Sequence, residues 1–165
     1  LLVRVYAKDR TGRFDALRAR RPDIAFSPVP RLAEWLTPLP DDTALWTSTL
    51  AHVACGVNVA STVSLELCMF DAPVVNVAFN PRSVPTAQID YRRYYRFDHY
   101  APVVASGAVS LAETADALQH QMRTALSSPG NGQTGRARIL EQMFGATLDG
   151  QSARRVAAVL RDLVQ

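Results

Sequence analysis

Short apolar runs, punctuated by proline, glycine and small polar residues, organise the whole chain. Residues 1–6 (LLVRVY) are rich in β-formers and run into a polar stretch, which predicts a first strand. Phe14 and Leu17 recur at helical spacing within 13–21, a segment bracketed by Gly12 and Pro22. A short second strand is expected at 24–27. Pro28, Pro30, Pro38 and Pro40 then restrict 31–35 to a brief helix at most. Asp41 and Asp42 are candidate caps for a helix reaching about residue 54, which Gly56 is expected to end. Residues 57–60 (VNVA) predict a third strand.

Residues 61–70 (STVSLELCMF) follow without a turn and are apolar nearly all round. They predict a buried helix or a continued strand, and Ser61, Thr62 and Ser64 favour a helix start. After the break at Asp71, Ala72 and Pro73, residues 74–79 (VVNVAF) read as a fourth strand. Its near-continuous apolar character suits a parallel sheet covered on both faces. An aromatic segment at 91–105 precedes a short fifth strand after Gly107 and a helix over about 114–126. A flexible loop (SSPGNGQTG, 127–135) and helices near 136–144 and 151–164 complete the pattern. Such alternation predicts an α/β domain with a parallel sheet flanked by helices. The right-handed crossover rule makes it Rossmann-like and doubly wound.

The 165 residues suit a single domain with a substantial core. No run approaches the roughly 20 apolar residues that span a bilayer, and no secretory signal opens the chain. Leu1 already stands inside an apolar run, so the expectation is a piece cut from a longer, cytoplasmic protein. Charge adds little: 18 basic residues, 17 of them arginine, face 15 acidic ones. The clusters Arg18, Arg20, Arg21 and Arg92, Arg93, Arg96 are too short for a nucleic-acid stripe, so no nucleic-acid partner is expected. Arginine-rich helices leave peripheral association with an anionic membrane face open, without a convincing anchor. Cys55 and Cys68 lack metal-ligand spacing and read as core thiols.

In open parallel sheets, ligands bind at the carboxyl ends of strands. The strongest such junction is VNVA-STVSLE, where Ser61, Thr62 and Ser64 can aim hydroxyl and backbone donors at one anion. Glu66 lies one helical turn beyond Thr62 and is the only formally charged residue between Asp42 and Asp71. A carboxylate in so apolar a helix must reach water or find donors, and ribose hydroxyls are such donors. The plainer alternative makes Ser61 an ordinary N-cap and Glu66 a surface residue. Asn58 and Asn76 occupy matching places in two strands and are expected to tie neighbouring loops together, with Asn58 also a candidate ligand contact. Lys8, after the first strand, is a candidate phosphate contact. His99, between Asp98 and Tyr100, is a candidate proton donor or phosphate contact against a plain packing role. No GxGxxG, P-loop, Asp-x-Asp pair or nucleophile elbow occurs.

The run ACGVNVASTVSLELCMFDAPVVNVAFNP (54–81) resembles the donor-binding half of GT-B-fold glycosyltransferases. It is most similar to the branch holding the CDP-glycerol glycerophosphotransferases and related capsule and cell-envelope transferases. The shared pattern is an apolar strand, Ser61-Thr62, an apolar helix carrying Glu66, the Ala72-Pro73 turn and a second apolar strand. The opening VRVYAKD resembles the branch's VR-x-HP-K-D, with Tyr6 and Ala7 in place of His-Pro. Residues 98–112 and 149–160 are similar too. The resemblance implies a nucleotide-activated sugar or glycerol donor, its diphosphate at Ser61, Thr62, Ser64 and Lys8 and its ribose near Glu66. It implies no metal or other cofactor, and an acceptor held by an N-terminal domain that this sequence lacks; the fragment is then inactive alone. A nucleotide-sugar 2-epimerase half-domain and a non-catalytic, receiver-like α/β module are the competing expectations.

Overall fold

Continuous apolar runs call for strands buried on both faces, and among the described residues both sheets are parallel. The computed structural model describes residues 1–6, 9, 11–28, 39–82 and 88–163, an α/β arrangement of parallel sheets flanked by helices. It divides into two compact units, Leu1–Thr49 and Leu50–Gln165.

In the first unit, β1 (Leu2–Val3) pairs in parallel with β2 (Ala25–Phe26), with α1 (Asp15–Arg20) between them. The strand expected over 1–6 pairs only at Leu2 and Val3. Beyond them Arg4 turns its guanidinium to both carboxylate oxygens of Asp42, at 2.9 and 3.0 Å, and lies 4.6 Å over the Trp46 ring. The Tyr6 carbonyl then accepts the Asp9 amide in a turn. Asp42 belongs to α2 (Pro40–His52). Because Pro40 supplies the first helical residue, Asp41 and Asp42 sit in the first turn rather than capping it. There they favour the positive end of the helix dipole. Lys8 and the brief helix expected over 31–35 lie outside the described residues.

The second unit is built on β3 (Gly56–Asn58), β4 (Val74–Val77) and β5 (Val109–Ala112), parallel and in the order β3-β4-β5. Gly56 therefore opens a strand instead of closing a helix. The β3-to-β4 connection carries α3 (Val63–Met69); the β4-to-β5 connection carries a 3-10 helix (Tyr91–Arg96) and α4 (Ala101–Ala105). Then come α5 (Ala115–Ser127), α6 (Gln133–Phe144) and α7 (Ser152–Asp162). Strand side chains alternate between faces, which divides the helices. Val75 packs with Ala112, Ala125, Leu118 and Met122 on the α5 side, while Asn76 meets Ser64 of α3 on the other. A Cβ on Gly56 would lie 2.2 Å from Leu67 Cδ1, so the glycine lets α3 close on β3.

The flexible loop expected at 127–135 is instead tied down. α5 extends to Ser127, α6 begins at Gln133, and Arg136, only 2% exposed, reaches back across the connection. Its guanidinium donates to the carbonyls of Asn131 (2.8 Å) and Pro129 (3.0 Å) and to Asp71 Oδ1 (2.7 Å). Asp71 also accepts from Gln133 Nε2 at 2.7 Å and holds a left-handed φ of +52° where α3 turns into β4. Gly135 completes the joint: a Cβ there would stand 2.4 Å from the Gly107 carbonyl carbon, so only glycine lets α6 meet the chain entering β5.

Gly135→Ala is accordingly expected to cost about 3 kcal/mol, because backbone on both sides must move. Gly130→Ala, where an added Cβ meets nothing within 4 Å, is expected to stay within about 0.5 kcal/mol of the parent. Urea denaturation midpoints measure both, and equal midpoints would remove the close-approach account of Gly135.

Candidate functional site

Asn58 of β3 and Asn76 of β4 share a register, so two amides stand side by side toward the carboxyl edge of the sheet. An interior amide needs partners, and the fold gathers them from three elements. Asn76 Nδ2 donates to Asn58 Oδ1 at 3.0 Å and to Ser64 Oγ at 3.3 Å. Ser64 Oγ lies 3.1 Å from Asn58 Oδ1, and Tyr100 Oη lies 2.7 Å from both Ser64 Oγ and Asn76 Oδ1. Ser64 and Asn76 are fully buried. One polar atom of the group, Asn58 Nδ2, is buried without a partner.

A second tyrosine shapes the loop above this knot. Tyr95 Oη donates to the Val77 carbonyl at 2.7 Å and accepts the Ala60 amide at 3.3 Å. It thereby fastens the exit of β3 to the end of β4, with Ala60 at a positive φ of +31°. The ring meets Tyr100 edge-on at 5.7 Å between centroids. Beyond Ala60, Ser61 Oγ accepts the Val63 amide at 3.3 Å, and the Ser61 carbonyl accepts that of Ser64 at 2.9 Å. Thr62, the residue preceding α3, caps nothing with its side chain and is exposed.

The sequence-derived site thus separates into two layers. Ser61 (half-buried), Thr62 (exposed) and Glu66 (half-buried) line the edge, whereas the Ser64 hydroxyl, expected beside them, is turned inward and engaged in the knot. Asn58 and Asn76 tie β3, α3 and the segment before α4 together, as their matching positions suggest. His99 is exposed and packs its ring 5.7 Å from Phe97; no hydrogen bond joins it to the knot. His52 and His120 are exposed as well. Both thiols are held protonated by burial, Cys68 up to about 11 and Cys55 in the same direction. Among the described residues, no three His, Cys, Asp or Glu side chains converge as metal ligands would.

Tyr95 and Tyr100 are the site residues that sequence reasoning missed. Two asparagines in apolar strands signal that partners must exist, but nothing in the spacing says they come from an aromatic segment 18 and 24 residues beyond Val77 and Asn76. Two cavities lie elsewhere. An open groove of about 490 Å³ lies between α4 and α6 at Ala101, Ala105 and Arg138, and one of about 250 Å³ lies at the amino edge by Val74, Gln121 and Arg136. Neither touches Ser61, Thr62 or Glu66. No family model matches the chain, and neither a curated protein nor a solved structure matches it.

Burial raises the phenols of Tyr100 and Tyr95, the latter up to about 12. An unfolded tyrosine ionises near pH ~10, so the stability carried by these neutral phenols is complete below that pH. It is lost as pH rises through 10 toward the folded values. Absorbance titration is expected to show two of the five tyrosines ionising late, one of them lost in each of Tyr95→Phe and Tyr100→Phe. A single transition of all tyrosines near 10 in the folded protein would contradict the buried network.

Proposed function

We propose that this chain is the donor-binding domain of a metal-independent GT-B-type transferase. It would move a glycosyl or glycerophosphoryl group from a nucleotide-activated donor to an envelope or capsule-type acceptor. On this reading the fold is the Rossmann-like, doubly wound half of such an enzyme, with the acceptor and the catalytic base supplied by an N-terminal domain. The parallel order β3-β4-β5, with helices on both faces, supports it.

The observation that carries the reading is the polar carboxyl edge of β3 and β4. Parallel α/β proteins place their ligands at this edge. Here it presents the Thr62 hydroxyl and the half-buried Ser61, with Glu66 one turn along α3 and the unpartnered donor Asn58 Nδ2 beneath. Ser61 and Thr62 would hold the diphosphate and Glu66 would accept from ribose hydroxyls. Ser64 would act through the knot, fixing the rotation of α3 rather than touching phosphate. Lys8 and His99 remain further candidate donor contacts.

A non-catalytic nucleotide-binding module is the second reading. It is favoured by the edge lying apart from both cavities and by the exposure of His52, His99 and His120. An epimerase half-domain would want acid/base side chains grouped at the same edge, and Glu66 is the sole titratable carboxylate of α3.

Calorimetric titration with UDP, GDP, CDP and ADP is expected to show one preferred diphosphate. The change Ser61→Ala with Thr62→Ala, or Glu66→Ala alone, is expected to weaken it about tenfold, or about 1.4 kcal/mol. Unchanged affinity in these variants would remove the site assignment, and absence of binding would remove the donor-domain reading of this chain. Turnover of a nucleotide-sugar without transfer to an acceptor would favour the epimerase.

A further inference from the structure

Every residue from 146 to 163 is exposed, yet α7 (SARRVAAVLRD, followed by Leu163) is more sharply two-sided than α2, α5 or α6. Val156, Val159, Leu160 and Leu163 recur at i, i+3, i+4 and i+7, so they form one stripe. They are 59, 60, 59 and 75% exposed. Single exposed aliphatics are ordinary, but a contiguous stripe of four on one helix marks a contact surface.

The charges beside the stripe identify its occupant. Arg155 and Asp162, seven residues apart, lie on the same flank, while Arg154 and Arg161 share a line on the far side. When two copies of α7 lie antiparallel, Val156 of each meets the partner's Val159, and the small Ala153 meets the partner's Leu160. The same register brings Arg155 opposite the partner's Asp162 at both ends. A parallel pair would set Arg155 against Leu160 instead. A lipid surface is a poorer match, since an amphipathic helix lying on anionic lipid keeps its cations toward the headgroups. Here two arginines point away from the stripe and one flank carries an acid.

We propose that α7 is a homodimerisation surface, pairing antiparallel with α7 of a second copy about a two-fold axis. Arg155 already donates to Asp149 in its own chain, which leaves it a guanidinium face for the second carboxylate. One pair of short helices buries less than the ~800 Å² per partner of a standard interface, so the dimer is weak and concentration-dependent.

Sedimentation velocity on this chain is expected to show a dimer fraction growing up to about 1 mM protein. Val159→Glu with Leu160→Glu should abolish it without changing the circular dichroism, because both positions are exposed. Arg155→Glu and Asp162→Arg should each self-associate severalfold less, since each sets like charges together twice. Mixed with one another, they should form a heterodimer in which both ion pairs are restored. A monomer at all concentrations, a dimer indifferent to the Val159 and Leu160 changes, or no recovery on mixing would overturn the proposal. So would flotation of monomeric protein with phosphatidylglycerol vesicles, which would assign the stripe to lipid.

Discussion

Two amides placed side by side in adjacent strands impose the constraint on which the carboxyl edge depends. Asn58 and Asn76 share a register in β3 and β4, and an interior polar group left unpaired costs about 1–3 kcal/mol. The fold meets that demand, save at Asn58 Nδ2, by rotating α3 until Ser64 faces inward and by bringing Tyr100 back over the sheet to reach Ser64 and Asn76 at 2.7 Å. Once Ser64 is fixed, the rest of α3 has no rotational choice. Ser61 and Thr62 fall at the edge, and Glu66, two positions further round, falls at a half-buried position away from the knot. The residues proposed to meet ligand are therefore placed by residues that do not.

The amino edge of the same sheet is held by a different device. There a single guanidinium, Arg136, gathers the Pro129 and Asn131 carbonyls and the Asp71 carboxylate. Gly135 meanwhile allows α6 to touch the Gly107 backbone. Arg136 is buried while the Asp71 carboxylate is half exposed, so loss of the carboxylate would leave the guanidinium as the buried, uncompensated partner. Arg136 thus serves stability by making the alternatives to this packing worse. The two edges divide the labour: charge and close backbone contact at one, a neutral hydrogen-bonded knot at the other. A neutral knot is the better support for a site proposed to receive an anion, since it adds no fixed charge beneath it.

Much of this was legible in the sequence, and the failures have physical reasons. The order of elements could be read because parallel strands are apolar runs and their connections carry Gly, Pro and small polar residues; β3, α3, β4, β5 and α5 follow that pattern. The matching asparagines announced a tie. What could not be read was the direction of side chains on a helix apolar nearly all round: periodicity has no polar face by which to orient α3, so Ser64 looked equivalent to Ser61 and Thr62. Nor could Arg136 be distinguished from the other 16 arginines. Its burial depends on Asp71, 65 residues away in the chain, and the loop it fastens has the composition of a flexible one. The stripe on α7 was present in the spacing of Val156, Val159, Leu160 and Leu163, but only the structure shows that all four face solvent.

Backbone strain joins the two edges. α3 is bracketed by Ala60 and Asp71, the two non-glycine residues at positive φ among those described. Each such conformation costs on the order of 1–3 kcal/mol and persists only where its surroundings over-determine it. Both are tethered: Ala60 through its amide to Tyr95, Asp71 through its carboxylate to Arg136 and Gln133. A loop held this way cannot relax without giving up the Tyr95 bridge from Ala60 to Val77. A ligand arriving at Ser61 and Thr62 would meet an edge already shaped, with the ordering cost met in folding rather than in binding. With preorganisation of this kind, few contacts would suffice for selective binding.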